Sequence, residues 1–479
     1  MNAFSTLRKI LFARAPKLPL QLSERRALLI FGDLVLVNAG VLVGLWLWAY
    51  KDRFPLSQGY VASQIHWFFF LTLLWLFAAS LNNFYDLHVA DYLRLSEAAL
   101  ARITALVLLI YLGIYFVAPR HALPRLFILY FGAASFTLVG LWRAGYVLFL
   151  SRAAFQRRAL IVGAGWAGRT IAQAIRDLSP GYHLVGFVDD DPAKQGQVIE
   201  DLPVLGTRQD LVTLVRARGV SEVILAIARN MHPELFRALM DCQEQGIAIT
   251  PMTALYEELT GRVPVEHIGD AWYIALPLNH AATGGLYPLL KRAMDISVAT
   301  IGLVLFGLLF PFIALALYID SPGPIFYTQE RVGKGGKTFR LVKFRSMIPN
   351  AEAEGVPVWA QKDDPRVTRV GRFLRKMRLD ELPQFINVLR GEMSVVGPRP
   401  ERPEFVAELE KRLPFYRMRH AVKPGMAGWA MLHQDYAGSV EDALIRLQYD
   451  LYYIKHQSIY LDLLILLKTI GAMLSFRGR

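Results

Sequence analysis

Four apolar blocks occupy the first third of the chain and set its organisation. Their limits are roughly 27–49, 61–80, 97–118 and 125–149. Each block is close to the ~20 residues that a membrane-spanning helix needs. Basic residues precede the first block and follow the fourth, so the positive-inside rule predicts that both ends face the cytoplasm. The pattern therefore predicts a four-helix transmembrane bundle over residues 1–150. Asp33, inside the first block, is predicted to lie at the membrane interface or in a helix contact.

A second pattern follows the bundle, where a short apolar run meets a glycine-rich turn. The turn supplies Gly163, Gly165 and Gly168, a helical pattern follows, and a second apolar run ends at Asp189. Strand, GxGxxG turn, helix, strand and acid in this order predict a Rossmann-like domain over 151–260, whose glycines and acid would bind a dinucleotide. The region is short and is followed by no Tyr-x-x-x-Lys pair, so a structural or sensing domain is the favoured alternative.

A fifth long apolar run, 296–319, comes after a linker predicted over 261–290. Basic residues lie on both sides of this run, so both flanks are predicted to be cytoplasmic. Pro311 lies near its middle, lacks an N–H group and is expected to kink the helix. These features predict a broken, re-entrant helix at about 294–319 rather than a fifth span with a proline kink. A shorter apolar stretch, 458–474, predicts a helix lying in the membrane interface.

Composition places the chain among membrane proteins. Of its 479 residues 54% are hydrophobic, the mean hydropathy is +0.32 and the net charge is +13. The length predicts two or three folded units. The lone cysteine, Cys242, excludes an intramolecular disulfide framework, and no histidine spacing suggests zinc. No basic stripe with interleaved aromatic residues suggests nucleic acid, so anionic lipid and phosphorylated substrates are the expected partners.

The stretch between Arg375 and Arg402 carries the candidate chemistry. Two adjacent carboxylates, Asp380 and Glu381, lie there among arginines and lysines. Pro383 is tolerated only in a first helical turn, so LDELPQFINVL predicts a helix entry that favours ionised carboxylates. Such a carboxylate suits a nucleophile or a ligand for a hard cation, and the arginines suit phosphate. The simpler alternative is an acidic helix cap on a solvated basic surface.

Several motifs in one order resemble the bacterial sugar transferase family. They are Lys291-Arg292-x-x-Asp295, SPGPIFYTQERVG, KFRSM, DPRVTRVGRFLR, LDELPQFINVLRGEMSVVGPRP and RHAVKPGMAGWA. The family comprises membrane polyprenyl-phosphate phosphoglycosyltransferases, and the whole chain resembles its large form. The resemblance implies a multidomain membrane protein, with a four-helix transmembrane bundle, an α/β Rossmann-like domain, and a mixed α+β catalytic domain over 291–479 on a re-entrant membrane helix.

The resemblance also implies a reaction. Asp380 would attack the sugar-proximal phosphorus of a UDP-sugar, UMP would leave, and polyprenyl phosphate would then take the phosphosugar. Glu381 would assist the nucleophile or a Mg²⁺ ion, for which Asp380 and Glu381 are the expected ligands. The residues expected to contact phosphate or other parts of the substrate are Lys343, Arg345, Arg375, Arg399 and Arg402.

Further implications concern the setting. A member of this family would initiate exopolysaccharide, capsule or O-antigen assembly at the bacterial cytoplasmic (inner) membrane, with its catalytic domain on the cytoplasmic face, and a homodimer is expected. One segment departs from the family pattern: after PGMAGWA many members continue with a Gln-x-x-Gly-Arg type of sequence, whereas this chain has MLHQDYAGSVEDA. The sequence therefore does not identify the sugar.

Two alternative classes share parts of this pattern. A membrane-anchored nucleotide-sugar dehydratase or epimerase would also combine four spans with a Rossmann-like domain, but it would need a Tyr-x-x-x-Lys pair in a second, full-length Rossmann domain. A non-catalytic scaffold for polysaccharide assembly could keep the same membrane unit. The presence of Asp380, Glu381 and Arg399 favours an enzyme over the scaffold.

Overall fold

The structure, a computed structural model, consists of two compact units, Met1–Leu255 and Tyr256–Arg479. It describes residues 22–53, 55, 57–117, 126–149, 156–179, 181–227, 231–265, 285–348, 364–413, 415–434 and 439–474. Most of the predicted linker over 261–290 lies outside the described residues, and so do residues 435–438 of the segment that departs from the family pattern.

The first unit begins with a helical bundle. Its helices are α1 (Leu22–Lys51), α2 (Gln58–Ser63), α3 (Ile65–Leu81), α4 (Leu87–Asp91), α5 (Leu93–Val117) and α6 (Phe127–Phe149). Helices α1, α5 and α6 are long and apolar enough to cross a membrane, and α3 is a shorter apolar helix of 17 residues. The four predicted apolar helices are therefore confirmed.

Helices α1 and α6 approach each other closely because small residues line their contact. A side chain at Gly40 would meet Ser135, and one at Gly44 would meet the backbone of Phe131. Asp33 accepts a hydrogen bond from Arg143 Nη2 at 2.8 Å, and both side chains are buried. The prediction that Asp33 makes a helix contact is confirmed.

The first unit continues as a six-stranded sheet of order β3-β4-β2-β1-β5-β6. All pairings are parallel except that of β3 with β4. The strands are β1 (Arg157–Val162), β2 (Tyr182–Val188), β3 (Val198–Ile199), β4 (Leu202–Gly206), β5 (Glu222–Leu225) and β6 (Ala248–Pro251), and the helices are α7 (Trp166–Leu178), α8 (Leu211–Arg218) and α9 (Pro233–Glu244). Buried apolar residues on the central strands form its core. The Rossmann-like fold is confirmed.

Helix α10 (Met252–Thr260) contains the boundary between the two units. The residues that follow the boundary pack within the second unit: Val263 N donates to Gln448 O at 3.1 Å, and Val263 and Val265 are buried in the core of that unit. The sequence placed the end of the Rossmann-like domain at 260 and a linker directly after it. Residues 256–265 lie in the second unit, where Val263 and Val265 are buried.

The second unit mixes helices with short strands, as predicted. Its helices are α11 (Tyr287–Asp320), α12 (Arg369–Lys376), α13 (Phe385–Arg390), α14 (Pro403–Arg412), α15 (Trp429–His433), α16 (Val440–Lys455) and α17 (Ile459–Leu474). Strands β7 (Phe326–Val332) and β8 (Thr338–Phe344) form an antiparallel hairpin, and β9 (Ser394–Val396) pairs in parallel with β10 (Gly425–Ala427). One large hydrophobic core joins β9, β10, α16 and α17.

Helix α11 is an uninterrupted α-helix of 34 residues that continues through Pro311. The predicted break at Pro311 is therefore not found. Pro311 is exposed on the surface of the helix. The re-entrant placement of α11 in a bilayer stays a prediction.

One face of α11 packs on the second unit. Its buried residues are Asp295, Ala299, Gly302, Ile313 and Leu317. The opposite face exposes large apolar side chains, among them Ile301, Val304, Leu308, Phe312, Leu315 and Ile319. Both ends of a helix about 50 Å long thus dock on one folded unit, and its free face is suited to lipid.

Candidate active site

The two adjacent carboxylates lie on a short 3₁₀ turn, Leu379–Gln384, between α12 and α13. Arg378 precedes the turn with a left-handed backbone (φ 53°) and reverses the chain after α12. The predicted helix entry is displaced, because α13 begins at Phe385 rather than at Pro383 and is only six residues long. The electrostatics of Asp380 and Glu381 are therefore set by neighbouring side chains rather than by a long helix dipole.

Glu381 is held by three cations. Its Oε1 accepts from Arg399 Nη2 at 3.1 Å and lies 3.4 Å from Lys343 Nζ, while its Oε2 lies 3.8 Å from Arg378 Nη1. Burial raises the pKa of Glu381, but Arg399, Lys343 and Arg378 outweigh burial and lower this pKa to about 2. Glu381 is therefore an ionised acceptor that fixes the surrounding cations.

Asp380 lies beside Glu381 but has different surroundings. Its side chain is buried, with 8% exposure, and no hydrogen bond to its carboxylate is found among the described residues. Burial and the charge of Glu381 raise the pKa of Asp380, while Lys343, Arg375 and Arg399 oppose that rise. The two carboxylates are thus divided: Glu381 is saturated with partners, and Asp380 keeps its oxygens for a ligand or a reaction.

Three of the predicted phosphate contacts surround the carboxylates. Lys343 extends from β8, and burial, with Arg399 adding to it, lowers the pKa of its ammonium. Arg399 lies after β9, and Glu381 raises the pKa of its guanidinium. Arg375, on α12, donates from Nε to Ser346 Oγ at 2.8 Å. Since their charges all act on Asp380, the structure brings these three residues to the site.

Two other predicted substrate-binding arginines make different contacts. Arg345 is buried and donates to the carbonyl of Ser321, at the C-terminal end of α11. Arg402 is the N-cap residue of α14, and its Nε lies 3.6 Å from Glu404 Oε2. Arg345 and Arg402 make these contacts within the second unit, and their contact with the substrate stays a prediction.

The Lys-Arg-x-x-Asp triplet at the start of α11 connects that helix to the site. Arg292 donates to the carbonyls of Val388 and Leu389, both at 2.8 Å, and so caps α13. The other two members bind β9 and α17: Asp295 accepts from Ser394 Oγ and Val395 N at 2.8 and 2.9 Å, and Lys291 Nζ donates to Val396 O and Asp462 Oδ2, both at 3.0 Å. The triplet is therefore structural.

Sequence reasoning missed Arg331, which lines a cavity with Lys343, Gln384 and Arg399. A signal for it was present. Tyr327 pairs with Lys343 across the β7–β8 hairpin, and Arg331 lies four positions further along the same strand. Because side chains alternate with a period of two, Arg331 and Lys343 share one face of the hairpin.

The predicted dinucleotide loop has its expected backbone, but its acid is already bound. Gly163 has φ 102°, and a side chain at Gly168 would overlap the Gly163 carbonyl. Asp189 accepts from Ala164 N at 2.7 Å, from Asp191 N at 2.9 Å and from Lys194 Nζ at 3.1 Å. Among the described residues, Asp189 thus closes the glycine-rich loop from inside the domain.

A buried acid pair among basic side chains, beside a long helix with an exposed apolar face, is typical of a membrane enzyme that acts on phosphates. Residues 286–476 match the bacterial sugar transferase family, and residues 80–252 match the CoA-binding domain family. The chain belongs to the bacterial sugar transferase family. This membership favours a transferase over the dehydratase, epimerase and scaffold alternatives.

Three curated relatives illustrate the range of this similarity. A UDP-N-acetylgalactosamine-undecaprenyl-phosphate N-acetylgalactosaminephosphotransferase from Aeromonas hydrophila is 40% identical over 306 residues, covering 63% of this chain and 68% of that protein. A UDP-glucose:undecaprenyl-phosphate glucose-1-phosphate transferase from Escherichia coli (strain K12) is 33% identical, covering 70% and 75%. A UDP-galactose-lipid carrier transferase from Erwinia amylovora is 30% identical, covering 68% and 69%. These relatives are named for three different sugars.

Proposed function

We propose that this enzyme transfers a sugar 1-phosphate from a UDP-sugar to undecaprenyl phosphate, releases UMP, and thereby initiates assembly of an exopolysaccharide, capsule or O-antigen. The observation that carries the proposal is Asp380: a buried carboxylate without a hydrogen-bond partner among the described residues, beside a Glu381 already held by Lys343, Arg378 and Arg399. The three relatives named above act on lipid carriers with UDP-sugars, which supports the same substrate classes here.

The first step is covalent. An oxygen of the ionised Asp380 attacks the sugar-bearing phosphorus of the UDP-sugar, and the bond from that phosphorus to the bridging oxygen breaks. UMP leaves with the bridging oxygen and its electron pair. The phosphosugar stays on Asp380 as an acyl phosphate, and no oxidant or external base is consumed.

The second step returns the enzyme to its starting state. An oxygen of the lipid phosphate attacks the same phosphorus, and the acyl–phosphate bond breaks towards the Asp380 carboxylate. The product is a polyprenyl-diphosphate sugar. Because the two acceptors, Asp380 and the lipid phosphate, act in turn, the nucleotide and the lipid never have to occupy the site together.

The cations around Asp380 make the approach of two anions feasible. The charges of Lys343, Arg375 and Arg399 oppose the rise in the pKa of Asp380, so these cations are near enough to act on a diphosphate bound there. Arg399 and Lys343 share Glu381, which holds both cations in place before the substrate arrives. The charge that develops on the leaving phosphate would therefore meet preorganised donors.

The donor set fits a magnesium ion that binds partly through its substrate. Among the described residues no cluster of three or more His, Cys, Asp or Glu side chains forms a complete protein site. Mg²⁺ commonly binds through one or two carboxylates and uses phosphate oxygens and water for its other positions. Asp380, with Glu381 adjacent, would hold such an ion, which would supply charge neutralisation on the diphosphate.

Mass spectrometry of the covalent intermediate tests the proposal. Protein mixed with a UDP-sugar alone should carry the phosphosugar on the peptide that contains Asp380, and UMP should appear in an equal amount. Asp380→Asn should abolish both signals while the protein stays folded, because an amide is a poor nucleophile. A panel of UDP-sugars, differing in the hexose, would identify the donor in the same experiment.

Glu408→Gln is the matched control, since Glu408 is an exposed carboxylate on α14. It should label at the wild-type rate. Clear UMP release by Asp380→Asn would disprove the covalent scheme and would favour direct attack by the lipid phosphate.

A further inference from the structure

The loop that carries Arg399 is held by four separate hydrogen bonds to consecutive carbonyls. The accepting carbonyls belong to Pro398, Arg399, Pro400 and Glu401, and their donors are Gly425 N at 2.8 Å, Arg419 Nη2 at 3.0 Å, Arg331 Nη1 at 3.2 Å and Val332 N at 2.9 Å. Two prolines also remove backbone N–H groups and fix φ. These contacts fix the backbone around Arg399. One of the donors, Arg419, is a side chain in a buried ion pair.

That donor, Arg419, is almost inaccessible to solvent. Its Nη2 donates to Asp450 Oδ2 at 2.7 Å as well as to the Arg399 carbonyl, and its Nη1 donates to Tyr416 OH at 2.6 Å. Arg419 and Asp450 are 3% and 2% exposed. A buried ion pair is weak evidence for stability, because desolvation costs about as much as the pair returns.

We propose that Arg419, fixed by Asp450, is a positioning residue for Arg399, and through Arg399 for the reacting carboxylates. This inference rests on the proposed function, in which Arg399 faces the diphosphate. The guanidinium of Arg399 lies 3.1 Å from Glu381 on one side of the loop, while its carbonyl accepts from Arg419 on the other. Release of that carbonyl would let the loop shift, and a shift of about 1 Å at a phosphate contact costs on the order of a hundredfold in rate.

A double-mutant cycle separates positioning from a general effect on folding. The variants are Arg399→Ala, Arg419→Gln and the pair, and kcat/KM for UMP release is measured for each. Arg419→Gln should lower kcat/KM about a hundredfold when Arg399 is present, and by less than about threefold when Arg399 is absent. Equal losses in both backgrounds would overturn the proposal, because a structural defect does not depend on Arg399.

Arg157→Gln is the matched control. Arg157 is partly buried and pairs with the buried Glu222 at 2.7 Å in the sheet of the first unit, so its loss tests whether any broken interior ion pair gives the same pattern. Its effect should be the same in both backgrounds. If Arg419→Gln does not fold, Asp450→Asn serves instead: it keeps the side-chain volume and should give about a tenfold loss that again disappears without Arg399.

Binding of inorganic pyrophosphate, measured by calorimetry, keeps the two proposals distinguishable. If the wild-type protein turns over no UDP-sugar, the proposed function fails, but the same cycle can be read in pyrophosphate affinity. Arg419→Gln should then weaken binding about tenfold only when Arg399 is present. A wild-type protein that neither turns over a UDP-sugar nor binds pyrophosphate would overturn both.

Discussion

Asp189 and Asp380 are both aspartates that the sequence places at a site for a phosphate-containing ligand, yet their surroundings are opposite. Asp189, at the end of β2, accepts two backbone N–H groups and the ammonium of Lys194. Asp380 is more buried and accepts no hydrogen bond among the described residues. Among the described residues, the fold thus supplies hydrogen-bond donors to Asp189 and none to Asp380.

The pKa values of the two acids move in opposite directions, although burial raises both of them. Burial raises the pKa of Asp189, but the N–H groups of Asp191 and Ala164 and the charge of Lys194 lower it overall. Burial and Glu381 raise the pKa of Asp380 against the opposing charges of Lys343, Arg375 and Arg399, and none of the described residues donates a hydrogen bond to its carboxylate. An internally satisfied carboxylate stabilises a fold, whereas a desolvated one without partners is unstable until a ligand or a covalent bond completes it.

Removal of Arg399, which acts on Asp380, should have the largest effect on activity. Arg399→Ala should lower kcat/KM for UMP release by about 10²- to 10³-fold, the usual range for a lost preorganised donor. Arg399 also lowers the pKa of Asp380, so its loss should raise that pKa further. Only ionised Asp380 attacks, so activity is present above its pKa and is lost as the pH falls. The acid limb of the kcat/KM profile should therefore move to higher pH in the variant.

Arg399→Lys is the conservative comparison, since it keeps a charge but loses the planar fork. It should recover most of the position of the acid limb and less of the rate. An acid limb that stays where it is in Arg399→Ala would mean that the limb reports a group other than Asp380.

Much of this arrangement was predictable from the sequence, because hydrophobic periodicity and glycine spacing act locally. The apolar helices, the glycine-rich turn and the acid pair all follow from residues close in sequence. What was missed depends on partners distant in sequence. Arg331 lines the cavity beside Lys343 through the register of a hairpin. The helix also continues through Pro311, which a local sequence rule does not predict.

The path of α11 through the membrane determines on which side of it Asp380 lies. Both ends of α11 pack on one unit, so a straight crossing would separate parts that are in contact. We expect Leu289→Cys and Lys337→Cys, each in a Cys242→Ser background, to resist a membrane-impermeant thiol reagent in intact cells and to react once the membrane is opened. Both positions are exposed.

Asp52→Cys, in the exposed turn after α1, is the positive control and should react in intact cells, because the predicted bundle places that turn outside. Reaction of Lys337→Cys in intact cells would mean that α11 is a true fifth span. Asp380 would then lie on the side away from nucleotide sugars.

The smallest effect is expected at Asp189. Asp189→Asn should leave UMP release within about twofold of wild type, because this acid is bound by its own domain. The variant loses charge-assisted hydrogen bonds at the glycine-rich loop, at a cost of about 1 to 2 kcal/mol in local stability. Since the pKa of Asp189 is lowered in the fold, its contribution is present at neutral pH and is lost as the pH falls through that pKa. Hydrogen exchange in the full-length protein should therefore show faster exchange at the amide of Ala164 at neutral pH.

Asp190→Asn, which removes only an exposed contact with Arg208, should leave that amide protected. A tenfold or larger loss of UMP release in Asp189→Asn would break the comparison, because it would mean that the glycine-rich loop binds a ligand on which turnover depends.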